Sequence, residues 1–244
     1  MPPVNKDPSD GLFRTDDGPH QIDIIKATLV GAVPAERHLS ALRGCFSDNA
    51  AYQAALRDGD RLVYAVQSGA ADGGPGALQY GLGVIQPGRV GLEFYMTKGH
   101  QHTWRQAGEV YLALSGSGGI VLQAETGQAR PEHKTDTVRP QDATGLADAT
   151  DQARFVPLTA GQIIYLPGGT AHRTVNTGTE PFVYLGVYPA DAGHDYDATA
   201  ASNFALAVLA GADGPVATSR ADYLAALSTS GNSAAADTLG ELHD

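Results

Sequence analysis

The fold this chain predicts is all-β, with a few short peripheral helices. Three observations carry that prediction. Short runs rich in Val, Ile, Tyr and Thr recur along the chain, each of strand rather than helix length. Its 30 glycines and 14 prolines punctuate those runs, as the turns of a β-barrel or sandwich require. Two separate segments, 97–111 and 161–176, place histidines at strand spacing or beside a glycine turn. At 244 residues and 42% hydrophobic content the chain can build one large domain. No internal repeat and no second domain are evident.

Residues 1–20 are polar and hold Pro2, Pro3, Pro8 and Pro19, which reads as a flexible arm. The domain spans 21–227. Residues 21–31 (QIDIIKATLVG) read as a strand. Residues 33–45 are ambiguous, since Pro34 suits a first helical position and Gly44 a stop. Ser47 is placed to cap a short helix through Arg57 that Gly59 ends. Residues 61–68 (RLVYAVQS) form a strand in which Tyr64 belongs either to the core or to a site. A Gly- and Ala-rich loop covers 69–76. The strand at 78–85 (LQYGLGVI) carries Gly81 and Gly83, and glycine inside a strand marks close backbone approach or a bulge. Pro87 and Gly88 turn the chain into a strand over 89–96.

Residues 109–114 and 119–123 read as a hairpin around 115–118. Residues 125–154 are polar and without periodicity, an insertion that reads as a surface loop, or alternatively as a lid or interface element. Strands follow at 161–167 and 172–176, joined by Pro167, Gly168 and Gly169. Residues 181–188 are apolar on both faces, as a strand buried inside a two-sheet structure is. Residues 204–209 and 215–219 form a last hairpin around 210–214, and 222–227 a short helix. Residues 228–244, rich in Ala, Ser and Gly, read as a flexible tail.

Composition excludes several roles. A formal net charge of −11 with a pI near 5.0 disfavours nucleic acid, which is held through Lys and Arg on phosphates. Apolar runs are too short to span a bilayer, and the first residues lack a basic stretch followed by an apolar one, so no signal peptide and no membrane role are expected. The single Cys45 forbids an internal disulfide. The expected setting is the cytoplasm.

The chemistry sits in the two histidine segments. His100 and His102 alternate onto one strand face, with Cα atoms about 7 Å apart. Glu109 and Tyr111 share a face in the same way, and His172 follows the Pro-Gly-Gly turn. Three neutral imidazoles and one carboxylate suit a divalent transition metal. Four protein ligands on an octahedral ion leave two positions for water or substrate. Tyr111 is then either a donor to a substrate oxygen or a core tyrosine with a satisfied hydroxyl. His20, His38, His133 and His243 have no partner pattern.

The first segment runs H-x-H, six residues, Glu109, six residues, Gly116. The second runs Gly161, five residues, Pro167, x, Gly169, two residues, His172, three residues, Asn176. The pair resembles the two motifs of the cupin superfamily, the second at every position, the first with a longer gap before its Glu. The resemblance implies a single-domain cupin jelly-roll barrel. TKGHQH (97–102), GEVY (108–111), AHRTVNTG (171–178) and above all YPADAGHDY (188–196) resemble the cupin-type phosphoglucose isomerases. That likeness runs from about Arg37 to about Val216, and the pattern resumes at Phe155 after the insertion.

The resemblance implies interconversion of glucose 6-phosphate and fructose 6-phosphate. It implies one divalent ion (Fe, Mn, Zn or Ni) on His100, His102, Glu109 and His172. It makes Glu109 the base acting through a cis-enediol, with a metal-directed hydride shift as the alternative, and places His194 near the substrate, to assist ring opening or position the chain. Thr97 and Gly99 become phosphate contacts, and Tyr64, Tyr188 and Tyr196 pocket-lining residues. Lys98, Arg173 and backbone N–H groups are expected to make the acidic protein's pocket locally positive. Relatives carry threonines on the strand where Gly81 and Gly83 stand here. Asn176 reads as a turn residue or a support behind the ligands. A homodimer formed by sheet packing is expected. Two rival readings are a cupin isomerase or epimerase of another sugar or sugar phosphate, and a non-catalytic sugar-binding cupin.

Overall fold

The computed structural model describes residues 21–69, 76–124, 153–200 and 203–229. Strands β1 (Ile22–Asp23) and β2 (Thr28–Leu29) form a small hairpin. The single strand expected at 21–31 is therefore folded back on itself. The cause is local: Asp23 accepts the Lys26 N–H at 3.0 Å and closes a turn, and Ala27 takes φ 51°. The ambiguous stretch becomes strand β3 (Ala35–His38) followed by a 3-10 turn, Leu39–Leu42. Helix α1 (Asn49–Asp58) is capped by Asp48, which accepts the Ala51 N–H at 2.8 Å, and ended by Gly59. Ser47, the expected cap, instead gives its N–H and its hydroxyl to Glu93, at 2.5 and 3.1 Å. Glu93 is fully buried, and a buried carboxylate is costly without such donors.

Strands β4 (Leu62–Ser68) and β5 (Leu78–Ile85) lie where the sequence places them. The strand expected over 89–96 is instead two short ones, β6 (Arg89–Val90) and β7 (Glu93–Phe94), folded onto each other. Gly91, at φ 57°, makes that fold-back accessible. There follow β8 (Glu109–Ser115), β9 (Ser117–Ala124), β10 (Ala153–Thr159), β11 (Ile163–Leu166), β12 (Thr170–Asn176) and β13 (Phe182–Pro189). A four-residue helix α2 (Asp197–Ala200), unanticipated, precedes the hairpin of β14 (Leu206–Gly211) and β15 (Gly214–Ser219). Helix α3 (Arg220–Thr229) takes in the first two residues of the expected tail. The expected arm at 1–20, all but the last two residues of the insertion, and the tail from residue 230 lie outside the described residues.

The strands form a six-stranded sheet ordered β11-β8-β13-β5-β4-β3, a three-stranded sheet β10-β9-β12, a four-stranded sheet β15-β14-β7-β6 and the β1-β2 hairpin. The hairpin expected of β8 and β9 is not one, since the two strands belong to different sheets. Gly116 makes the corner at φ 76°, where a Cβ would come 2.5 Å from the Pro181 carbonyl oxygen. The chain crosses again between β11 and β12, with Gly169 at φ 76°. Each crossing moves it from one layer to the other, so Glu109 on β8 and His172 on β12 arrive from different sheets.

One apolar cluster fills the space between the layers. Tyr64, Ile85, Tyr111 and Phe182 from the large sheet meet Ile120, Phe155, Val175 and Leu206 from the others. Burying a side chain of this size contributes about 1.5–3 kcal/mol. Phe182, Val183 and Tyr184 are all buried, as the two apolar faces of residues 181–188 require. Among the described residues the ladders do not close into one continuous barrel. Isolated bridges, Met96 to Val175 and His100 to His172, instead tie the segment after β7 to β12.

Asn176, fully buried, stitches the end of β12 to its surroundings. Its side-chain amide donates to the Ile85 and Glu180 carbonyls at 2.8 and 2.9 Å and accepts the Gly178 N–H at 2.9 Å. It is thus a structural tie and not a ligand. Replacing Asn176 by Ala strands these three backbone groups, and we expect a loss of about 2–3 kcal/mol. The midpoint of denaturant unfolding measures that loss.

Candidate active site

His100 lies outside the named strands, yet its backbone is paired with β12. Its N–H donates to the His172 carbonyl at 3.1 Å, and the His172 N–H returns to the His100 carbonyl at 2.9 Å. This reciprocal pair brings the two imidazoles to a centroid separation of 4.3 Å. His102 follows two residues on, its ring 5.5 Å from that of His100 and 5.6 Å from that of His172. The longer gap before Glu109 forms a turn whose Ala107 carbonyl accepts from His102 Nδ1 at 3.0 Å. Glu109, the first residue of β8, brings Oε2 to 3.4 Å from His102 Nε2 and 3.2 Å from His172 Nε2. One donor atom from each of His100, His102, Glu109 and His172 lies within 4.8 Å of the others.

The donor atoms fit a cation. Nε2 of all three histidines and Oε2 of Glu109 are buried with no hydrogen-bond partner, an arrangement that is costly unless something charged sits among them. His102 Nδ1 and His172 Nδ1 are committed to the Ala107 and Thr170 carbonyls, at 3.0 and 3.3 Å. That fixes the tautomer leaving an Nε2 lone pair for a metal. Burial holds the His100 imidazole well below its usual pKa, helped by the other histidines, so it stays neutral. For Glu109 burial pushes upward, but the adjacent His102 and His172 imidazoles outweigh it and the carboxyl is held below its ordinary range. His102 shows the counterpart: burial lowers it, but Glu109 and the Ala107 carbonyl leave it raised.

These donors open onto a cavity of about 230 Å³ whose lining includes His100, Glu109 and His172. Tyr64, Thr97, Gly99, Tyr111, Tyr188, His194 and Tyr196 line it as well, so every site residue expected from the sequence comes to one place, with His102 buried beside it. Tyr111 is enclosed, and burial followed by the Glu109 charge raises its phenol well above the ordinary value, which keeps it a donor. Burial, followed by the same charge, pushes the Tyr188 phenol up to about 12. The His194 ring lies tilted against His100 with centroids 4.4 Å apart, and Tyr196 lies nearly parallel to His194 at 6.0 Å. Their backbone is sewn to the H-x-H segment: Asp195 N donates to the Gln101 carbonyl at 2.7 Å, and Gln101 N to the Asp195 carbonyl at 3.1 Å. The Asp195 carboxylate pairs with Arg105 at 2.9 Å.

One expectation is corrected. Arg173 does not line the cavity. On β12 it alternates with His172 and Thr174 and points behind them, donating to the Lys98 carbonyl at 2.9 Å with its guanidinium 4.4 Å from the Phe204 ring. Burial lowers its pKa to about 10. Its task is to fix the 97–99 backbone. There Gly99 takes φ 78°, and a Cβ would come 2.5 Å from Phe204. Sequence reasoning also missed Arg37, Ser68, Tyr184 and Gly186, all of which line the cavity. Arg37 and Ser68 belong to no motif, and Tyr184 was indistinguishable from core within an apolar strand. His38 bonds to Glu36 and the Asp60 carbonyl, away from the site.

The sequence model for glucose-6-phosphate isomerase (GPI) matches residues 36–224, a span that holds every residue lining this cavity except Ala35. The chain belongs to that family. Relatives named glucose-6-phosphate isomerase include one from Pyrococcus abyssi, 35% identical over 189 residues, covering 78% of this chain and 87% of the relative. Another, from Thermococcus gammatolerans, is 38% identical over the same length and shares. Among solved structures, oxalate decarboxylase from Bacillus subtilis is similar over 54% of this chain and 26% of that chain, at 18% identity and a TM-score of 0.35. For this isomerase-family chain, the buried donor set gives a direct prediction. His172→Ala should lower the metal content from about one ion per chain to near none, by elemental analysis of purified protein.

Proposed function

We propose that the protein interconverts glucose 6-phosphate and fructose 6-phosphate by moving a proton between C1 and C2 of the open-chain sugar. The observation that carries this reading is how Glu109 divides its two oxygens. Oε2 faces the imidazoles. Oε1 faces Gly186 across the cavity wall, where a Cβ on residue 186 would come 2.6 Å from it. A carboxylate engaged on a metal is a weakened base, but the second oxygen here is free of the imidazoles.

His100, His102, Glu109 and His172 would hold one divalent ion, with Fe²⁺, Mn²⁺, Zn²⁺ and Ni²⁺ all suited to the donors. Such an ion supplies Lewis acidity to the substrate's carbonyl and adjacent hydroxyl oxygens. Glu109 Oε1 takes the proton from C2 of the aldose and returns it to C1, through an enediol. Tyr111, held protonated, donates to a substrate oxygen as charge develops there. His194 sits over His100, placed to assist ring opening or hold the chain. Thr97, Gly99 and Tyr64 receive the phosphate, and Tyr188 and Tyr196 form the walls.

The same reading keeps one domain over 21–227, flanked by an arm and a tail, and a cytoplasmic setting. None of the helices among the described residues is long and apolar enough to cross a membrane. A homodimer is supported by the outward face of the large sheet. Tyr165 pairs with Val110 and Ile163 with Leu112 in register, so these four side chains share one face. Tyr165, Ile163 and Val110 are 56%, 67% and 39% exposed, an apolar stripe of the kind subunits cover.

Three measurements test the proposal. A coupled assay with fructose 6-phosphate should show turnover that a chelator abolishes and added divalent metal restores, whereas binding without turnover would leave a sugar-binding protein. Glu109→Gln should lower kcat by about a hundredfold or more with metal retained. A near-parental rate in metal-loaded Glu109→Gln would exclude the base and favour a hydride shift. Size-exclusion chromatography with light scattering should give twice the chain mass, falling to a single mass in Ile163→Lys/Tyr165→Lys.

A further inference from the structure

Gly83 and Tyr184 face each other in register on β5 and β13, and both line the cavity. A Cβ on residue 83 would come 2.5 Å from Cε1 and 2.6 Å from the hydroxyl oxygen of Tyr184. The end of the phenol therefore occupies the volume that any side chain at 83 would need. At Gly81 a Cβ would meet nothing closer than 3.5 Å, so the exclusion is particular to residue 83. Behind it, the Tyr184 ring stacks on Tyr111 at 4.7 Å and 16°, with Phe182 at 6.0 Å on the same strand. The ring is held in one place by glycine in front and aromatic groups behind.

That place is one ring further from the metal ligands than Tyr111. Tyr111 lies 5.9 Å from His172, and Tyr184 lies beyond Tyr111. Around this end of the cavity, hydroxyls accept from the backbone. Thr97 Oγ1 accepts the Thr174 N–H at 3.0 Å, and the Tyr64 oxygen accepts the Lys98 N–H at 3.5 Å. A hydroxyl that already accepts has its own proton left to donate. The Tyr184 oxygen is likewise engaged by Thr174 and Tyr111 in the sense that favours its ionised form, although burial dominates and raises its pKa. Three hydroxyl-bearing residues, Tyr64, Thr97 and Tyr184, thus line one cavity.

We propose that Tyr184 is a specificity-determining substrate contact, its hydroxyl donating to the phosphate oxygens in the space that Gly83 leaves open. This rests on the isomerase reading for the identity of the substrate, though the oxyanion site itself does not. Tyr184→Phe keeps the stacking and removes only the donor. In the metal-loaded enzyme we expect KM for fructose 6-phosphate to rise about tenfold, the size of one hydrogen bond to a charged group, with the loss in KM rather than kcat. The affinity for inorganic phosphate, by isothermal titration calorimetry, should fall by a similar factor, while competitive inhibition by unphosphorylated fructose stays as it is. Gly83→Ala, whose methyl must displace the phenol, should reproduce the phosphate loss. Equal phosphate affinity in Tyr184→Phe and the parent would overturn the proposal, as would equal losses toward fructose and fructose 6-phosphate. Because phosphate binding is read without turnover, an inactive parent whose phosphate affinity still depends on Tyr184 would overturn the isomerase reading alone.

Discussion

Four buried polar atoms without hydrogen-bond partners face one another between the layers of this fold, and much of the chain serves to keep them there. Two sheets supply them. β8 delivers Glu109, β12 delivers His172, and the bridged segment beside β12 delivers His100 and His102. Glycine corners at 116 and 169 decide which sheet each segment joins. The carbonyls of Ala107 and Thr170 orient two of the rings from behind, so the lone pairs are aimed before any ion arrives. Preorganisation of this kind lets a site hold a cation without rearranging to do so.

An acidic protein that receives an anionic sugar must solve an electrostatic problem, and the proposed phosphate contacts offer a solution. Long-range attraction is not available at a net charge of −11. Inside, the far end is built from neutral donors, the hydroxyls of Tyr64, Thr97 and Tyr184, with Arg37 as the cation among the lining residues. Neutral donors grip oxyanions at short range and cost far less to bury than lysines would. Arg173, buried behind the wall, spends its charge on the Lys98 carbonyl and the face of Phe204.

Local chemistry made much of this legible from sequence. The pairing of His-x-His with a distant Pro-Gly-Gly-x-x-His, read with the likeness to the cupin motifs, picked out the four residues whose donor atoms meet in the structure. Strands β4, β5 and β13 followed from composition and two-sided burial. What was not legible depended on partners remote in the chain. Residues 89–96 look like one strand until Gly91 turns them back, and β8 and β9 look like a hairpin until Gly116 sends them into separate layers. Ser47 had the right chemistry to cap α1, but a buried Glu93 46 residues away claimed it. Tyr184 passed for core because strand alternation reports which side faces inward and not whether that side meets protein or cavity.

The edge-to-edge joining of 194–196 to the H-x-H segment has a mechanical consequence. Two backbone bonds and the Arg105–Asp195 pair make that wall and the ligand-bearing segment one stiff flap. A sugar cannot push His194 aside without tugging on His100 and His102 through the same bonds. Displacing that wall and displacing the donor-bearing segment are therefore one event, and Tyr196, nearly half exposed on the same stretch, goes with them.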